Sequence, residues 1–353
     1  MRNATVSESD ESSTQGEQPV AVITHAAHPD AVAILASLCD VRAPTEVSER
    51  ALSLLDIDPA QVAALMVFMP DHVNVDTLTR FPQLNIIAGA FKGADNVSVD
   101  LCTARGIWVT VVSDALTAPT AELALTLLLN AARRVREGDA IVRREARGGW
   151  RPGLHGFGLR DCTIGIVGAG AVGRELGRML VALGASPVFH DLEARQVNDL
   201  PNLPLATLMH RSRAVVLALP LTETTHHLVD ASQIGLMPYD SVLVNVGRGS
   251  TVDEQAVTDA LASGHLAAYA TDVFATEDIG RDTQPTGIAA SLLSHPRCVF
   301  TPHIGSATTT ARRAVETQAA RSILQALRGM RPEGAVNSPA ANERVRVGEK
   351  VCQ

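Results

Sequence analysis

Apolar and polar positions along the chain alternate between short buried runs and longer amphipathic stretches. Val20-Ala21-Val22-Ile23-Thr24 reads as a strand, and His28 to Leu38 is helix-like. Ala64-Leu65-Met66-Val67-Phe68, Leu84-Asn85-Ile86-Ile87-Ala88 and Ile107-Trp108-Val109-Thr110-Val111 read as further strands. Helical stretches are expected between them, around Ser48 to Leu55 and Val75 to Phe81. Strands alternating with helices predict a parallel α/β sheet, here in a first, small domain.

Pro119-Thr120 opens a run expected as one long helix, from Ala121 to about Arg147. Proline is well placed at a helix start, where its missing N–H would have no partner anyway. Leu123, Leu125, Leu127, Leu128 and Ala131 are dense enough to bury two sides, against another domain or a second subunit. Gly148-Gly149-Trp150-Arg151-Pro152-Gly153 then breaks the pattern.

A second alternating series follows. Ile164, Ile166 and Val167 form a buried run that empties into Gly168-x-Gly170-x-x-Gly173, and a helical pattern continues through Leu176, Met179, Leu180 and Leu183. Later strands are expected at Pro187–Asp191, Ala214–Pro220, Ser241–Val246, Leu266–Val273 and Cys298–Thr301. The stretch from Ala307 to Gly329 reads as one helix that returns to the first domain. Residues 1–19 are polar and acidic, which predicts a disordered leader, and 341–353 read as a loose tail.

The glycine turn has a physical logic. Gly168 allows the tight turn, Gly170 lets a pyrophosphate approach the backbone, and Gly173 lets the helix pack closely on the strand. The helix N-terminus offers free N–H groups and a positive dipole end to phosphates. Asp191 ends the next strand, 18 residues after Gly173. An acid there binds both hydroxyls of an adenosine ribose and repels a 2′-phosphate. The bland alternative is a solvated loop acid.

Composition narrows the classes. A chain of 353 residues suggests two domains, and a hydrophobic fraction of 46% supplies two cores. Aromatics make up only 3%, so aliphatic packing must dominate. A net charge of −8 and a pI of about 5.8 argue against a nucleic-acid surface. No run of about 18 apolar residues and no basic-then-apolar start is present, so no membrane span or signal peptide is expected. Five cysteines, scattered and never in a C-x-x-C pair, fit reduced thiols in the cytoplasm and offer no metal site.

Three polar residues follow strand ends in the unit that carries the glycine turn. They are Arg248, Glu277 and His303. Histidine is the natural proton carrier near neutral pH, and a carboxylate on its far nitrogen fixes its tautomer. Arginine clamps an anionic substrate with a planar fork. Taken singly, Glu277 reads more readily as a solvated loop acid beside Thr276, Asp278 and Arg281. Lys92, in Phe91-Lys92-Gly93, follows a first-domain strand and faces either a cleft or plain solvent.

With these residues in view, the chain from Val20 to about Asn337 resembles the NAD-dependent D-2-hydroxyacid dehydrogenase family. The motifs are Gly168-Ala169-Gly170-Ala171-Val172-Gly173, Asn245-Val246-Gly247-Arg248-Gly249-Ser250, Asp272-Val273-Phe274 and Thr301-Pro302-His303-Ile304-Gly305-Ser306. The resemblance implies two doubly wound parallel-sheet α/β domains. A flavodoxin-like substrate domain would hold 20–115 and 304–340, and a Rossmann NAD-binding domain 116–303. It implies that Arg248 binds the substrate anion, that Glu277 orients His303, and that His303 is the acid/base. It also places Gly168, Gly170, Ala171, Val172, Gly173, Asp191, Thr120, Pro220, Val246 and Asp272 against NAD. A homodimer is the assembly expected.

Within the family the likeness is to members that oxidise phosphite. It rests on Phe68-Met69-Pro70-Asp71, Phe91-Lys92-Gly93, Thr117-Ala118-Pro119-Thr120-Ala121-Glu122 and Gly149-Trp150-Arg151-Pro152. It implies Lys92, Gly93, Met69, Trp150 and Arg312 as further substrate-binding residues, and oxidation of phosphite to phosphate with water as nucleophile. The chain departs from that pattern at His155, where a tyrosine is expected, at Ile279, where an aromatic often stands, and at Asp191, in place of a longer glutamate. Reduction of a 2-keto acid such as glyoxylate or hydroxypyruvate is the alternative chemistry. An NAD-sensing binding protein on the same fold is the non-enzymatic alternative.

Overall fold

Strands from the two apolar series assemble into two separate sheets, both wholly parallel. The computed structural model describes residues 18–44, 57–112, 114–146, 148–150, 152–193, 200–278 and 285–340. The expected leader up to residue 17, the helix at Ser48 to Leu55, Arg151, Ile279 and the tail from 341 lie outside the described residues.

The first sheet contains β1 (Val20–Ile23), β2 (Asp40–Arg42), β3 (Val62–Val67), β4 (Ile86–Gly89) and β5 (Trp108–Thr110), in the order β2-β1-β3-β4-β5. This is the flavodoxin-like order. Three residues of mixed polarity form β2, an edge strand that carries no apolar run for the sequence to show. Helices α1 (Pro29–Ala36), α2 (Val75–Arg80) and α3 (Val99–Ala104) cover the sheet on opposite faces. Alternate strand residues point to opposite faces. Ile23, Met66 and Ala88 therefore pack with Leu35, while Val22, Leu65 and Ile87 pack with Leu78 and Cys102.

Between the sheets run α4 (Thr117–Ala132) and α5 (Val135–Glu145). The sequence predicts one helix here, and the structure breaks it. Arg134 has φ 55°, a left-handed conformation that a continuous right-handed helix cannot include. Its guanidinium grips both oxygens of Glu137, at 2.7 and 2.8 Å, and reaches the Gly153 carbonyl at 3.1 Å. Arginine is a good helix former, so local propensity gives no sign of the break. By length and apolarity alone the stretch Asp114–Ala132 would cross a bilayer. Its Ala121, Ala124, Leu127 and Leu128 are instead buried in the core of the second sheet.

The second sheet contains β6 (Thr163–Val167), β7 (Ser186–His190), β8 (Ala214–Leu217), β9 (Ser241–Asn245), β10 (Leu266–Thr271) and β11 (Cys298–Phe300), in the order β11-β10-β9-β8-β6-β7. Asn202 makes a parallel bridge to Phe189 on the outer side of β7, where the third strand of a Rossmann sheet belongs. The helix α6 (Ala171–Ala182) joins α4 on one face. On the other face lie α7 (Leu205–Arg211), α8 (Ala231–Leu236), α9 (Glu254–Ala262) and α10 (Ala290–Ser294). Strands β8 and β9 are buried along their whole length, as expected for a parallel sheet covered on both faces.

The last helix, α11 (Thr309–Leu327), packs Val315, Ala319 and Ile323 onto the first sheet. The segment beyond it is sewn to β5. Val336 N–H donates to the Val109 carbonyl at 2.9 Å, and the Asn337 amide oxygen accepts from Val109 N–H at 2.9 Å.

Candidate active site

Two of the three glycines in the turn after β6 leave no room for a side chain. Gly168 has φ 103°, and a Cβ there would lie 2.5 Å from the Ala218 carbonyl oxygen. A Cβ at Gly173 would lie 2.0 Å from the Gly168 carbonyl oxygen, so the helix sits directly on the turn. At Gly170 the space is open, and a Cβ there would meet no atom within 4 Å. No side chain caps the start of α6, so its first N–H groups are available to an anion. Ala171 and Val172 form the first turn of that helix.

Asp191 stands beside this turn at the end of β7. Its carboxylate accepts from Ala169 N–H at 2.7 Å and from Glu193 N–H at 3.0 Å. The acid is thus anchored at the edge of the opening, where a ribose would extend from a pyrophosphate on α6. Pro220 is exposed just past β8, and Val246 lies just past β9. Thr120, in the first turn of α4, donates to the Gly305 carbonyl at 3.4 Å.

A cavity of about 410 Å³ lies between the two sheets, lined among others by Met69, Asp95, Arg248, Glu277, Asp278 and His303. Each of these residues follows the C-terminal end of a strand, the edge at which open α/β sheets bind ligands. His303 Nδ1 lies 2.5 Å from Glu277 Oε2. The other carboxylate oxygen of Glu277 accepts from Phe274 N–H at 2.8 Å. With Nδ1 bound to a carboxylate, Nε2 is the nitrogen left to exchange a proton.

Asp272 holds the histidine loop from behind. It is 2% exposed and accepts from Thr301 Oγ1 at 2.6 Å and from the N–H groups of Ile304 and Gly305, both at 2.8 Å. Its carbonyl accepts from His303 N–H at 2.9 Å, fixing that residue at φ 54°. Burial pushes the Asp272 carboxyl up from its ordinary range, against the pull of the Thr301 and backbone donors. Expected at the cofactor, Asp272 has both oxygens committed to the loop.

Arg248 follows β9, and its carbonyl is held by Asn245 Nδ2 at 2.9 Å and Thr251 Oγ1 at 2.6 Å. Its Nε donates to Asp95 Oδ2 at 2.8 Å and its Nη1 to the Gly247 carbonyl at 2.9 Å. Gly93 makes room for it, since a Cβ there would collide with the guanidinium. Lys92 is an exposed residue on the same loop. Partial burial lowers its pKa; Asp114 opposes this, and the cations Arg174 and Arg248 add to it.

Of the six expected substrate residues, Met69 and Arg248 line this cavity, Lys92 and Gly93 stand behind it on the loop against Arg248, and Trp150 and Arg312 lie elsewhere. Trp150 is 86% exposed on the segment past α5. Arg312 binds Glu316 Oε1 through Nε at 3.0 Å, reaches the Ala90 carbonyl at 3.2 Å, and lies over the Phe68 ring. Its guanidinium joins α11 to the end of the first sheet. Conversely, sequence reasoning does not single out Asp95 and Asp278. A loop carboxylate has no local signal of its partner; the one available hint is that each stands within three residues of a candidate, Lys92 or Glu277.

Comparison with known proteins bears on the same segments. The family model for "D-isomer specific 2-hydroxyacid dehydrogenase, NAD binding domain" matches residues 125–305. A glyoxylate reductase of Thermococcus litoralis is 34% identical over 286 residues, covering 78% of this chain and 84% of that protein. The crystal structure of the TT0316 protein from Thermus thermophilus is similar with a TM-score of 0.80 at 30% identity, covering 90% of this chain and 100% of that one. An NADPH-dependent glyoxylate/hydroxypyruvate reductase from Sinorhizobium meliloti, solved with NADP and malonate, gives a TM-score of 0.78 at 28% identity, covering 91% of this chain and 97% of that one. The glycine turn is thus part of an NAD-binding domain, and the open space at Gly170 with the uncapped start of α6 fits that cofactor.

Proposed function

The chain belongs to the D-isomer specific 2-hydroxyacid dehydrogenase family, and from that premise we propose that it reduces small 2-keto acids of the glyoxylate and hydroxypyruvate type with NADH. The observation that carries the reading is one cavity holding both an arginine and a carboxylate-bound histidine. Arg248 takes the substrate carboxylate by charge-assisted hydrogen bonds. His303 Nε2 donates the proton that turns the carbonyl oxygen into a hydroxyl. Glu277 orients the imidazole through Nδ1. Asp191 holds the adenosine ribose. NADH, when bound, supplies the hydride to the carbonyl carbon.

Relatives covering most of the chain at 32–34% identity carry the name glyoxylate reductase, which favours this reading over the phosphite oxidation expected from the Lys92 segment. One observation keeps phosphite as the second reading. Lys92 lies within electrostatic reach of Arg248, and two cations from facing loops suit a dianion. A homodimer goes with the family reading: α5 buries none of its residues in the monomer, and Val135 and Val142 on it are 50% and 49% exposed.

The test mixes purified protein and NADH with glyoxylate or hydroxypyruvate, and separately NAD with phosphite, following absorbance of the reduced cofactor. NADH should be consumed with the keto acids, and none should form with phosphite. NADH formation from phosphite alone would establish the Lys92 reading instead. Silence in every mixture would point to a protein that binds NAD without turnover.

A further inference from the structure

Arg248 and Glu277 stand on different loops, and those loops are fastened together. The turn Gly249–Thr251 follows Arg248, and the turn Ala275–Glu277 carries the glutamate. A Cβ at Gly249 would lie 1.9 Å from the Phe274 carbonyl carbon, so the two backbones are in contact. Ser250 N–H donates to Asp278 Oδ2 at 2.7 Å. Glu254, at the start of α9, accepts from Ala275 N–H at 3.2 Å. Asp278 is therefore the side chain that ties the glutamate turn to the residue two places after Arg248. Ser250 is only 5% exposed, so its N–H depends on that acceptor, and losing it would loosen the turn.

We propose that Asp278 is a positioning residue, which latches the Arg248 loop to the Glu277 turn and so sets the spacing between the anion-binding guanidinium and the histidine. A substrate held by Arg248 must present its reacting carbon to His303, and a displacement of about 1 Å between the two costs catalysis steeply. A rival role is purely electrostatic. Asp278 lines the same cavity as Arg248, and its negative charge alone would weaken anion binding.

The choice of substrate rests on the 2-keto acid reading; the latch itself does not. Two variants separate the roles, because Asp278→Asn keeps an oxygen acceptor and loses the charge, whereas Asp278→Ala loses both. In the full-length protein with NADH, Asp278→Ala should lower kcat for glyoxylate roughly tenfold, the scale of one lost charge-assisted hydrogen bond, whereas loss of charge alone would act on KM. It should also speed hydrogen exchange at the Ser250 amide. Asp278→Asn should keep that amide protected, with KM at or below the wild-type value. Equal kinetics in the two variants would assign the effect to charge alone and overturn the latch. Unchanged exchange at Ser250 in the alanine variant would overturn it too. If the wild-type protein turns over no keto acid, the functional reading fails, and exchange at Ser250 still decides whether the latch exists.

Discussion

At the residue scale, the site is a contest for one guanidinium. Asp95 takes Arg248 Nε, and on the proposed reading a substrate carboxylate would have to displace it or settle on the remaining N–H groups. Asp95→Asn removes the competing charge and should lower KM for a keto acid by roughly two- to fivefold, the range of a half-exposed ion pair. A rise in KM would instead mean that Asp95 presents the fork to the substrate. Arg248→Ala should cost roughly a thousandfold in kcat/KM. Arg248, Glu277 and His303 were legible in the sequence because each ends a strand in the unit with the glycine turn. Asp95 and Asp278 were not, because a carboxylate's partner is chosen by the fold, and Arg248 lies 153 residues from Asp95.

At the element scale, apolar runs placed most of the strands to within two residues, because buried parallel strands leave continuous aliphatic signatures. The polar edge strand β2 left none. The division between α4 and α5 was also hidden, since it depends on Arg134 meeting Glu137 and Gly153 rather than on a helix breaker. That junction carries a pH dependence. The hydrogen bond from Arg134 is the main cause that holds the Glu137 carboxyl below its ordinary 4.5. A carboxyl depressed on folding adds stability above its unfolded value and loses it as pH falls through the folded one. The unfolding temperature should therefore drop below about pH 4.5 more steeply in the wild type than in Glu137→Gln. Parallel acid profiles for the two proteins would remove Glu137 from the account.

At the scale of the whole molecule, the cavity exists because loops from two sheets meet, and no single stretch of sequence shows which loops those are. Arg312 illustrates the difference. Resemblance placed it on the substrate, whereas its guanidinium binds Glu316, which is 4% exposed, and the end of the first sheet. Arg312→Ala would leave the buried Glu316 without its cation but with the His28 N–H still on its other oxygen, at a cost of about 1–3 kcal/mol. It should lower the unfolding temperature and leave KM for the keto acid within about threefold of wild type, a smaller effect than that of losing Arg248. A KM rise matching that of Arg248→Ala, with stability intact, would restore it to the substrate site. The stitching of residues 334–337 onto β5 has a different kind of consequence. All six described strands of the second sheet come from one stretch of chain, 163–300, whereas the first sheet lacks α11, one of its covering helices, and its edge stitches until residue 337 has been made. On a ribosome, the unit whose translation begins first is thus the one completed last. The contacts that close it are among the most distant in sequence, and pairings of that kind form slowly.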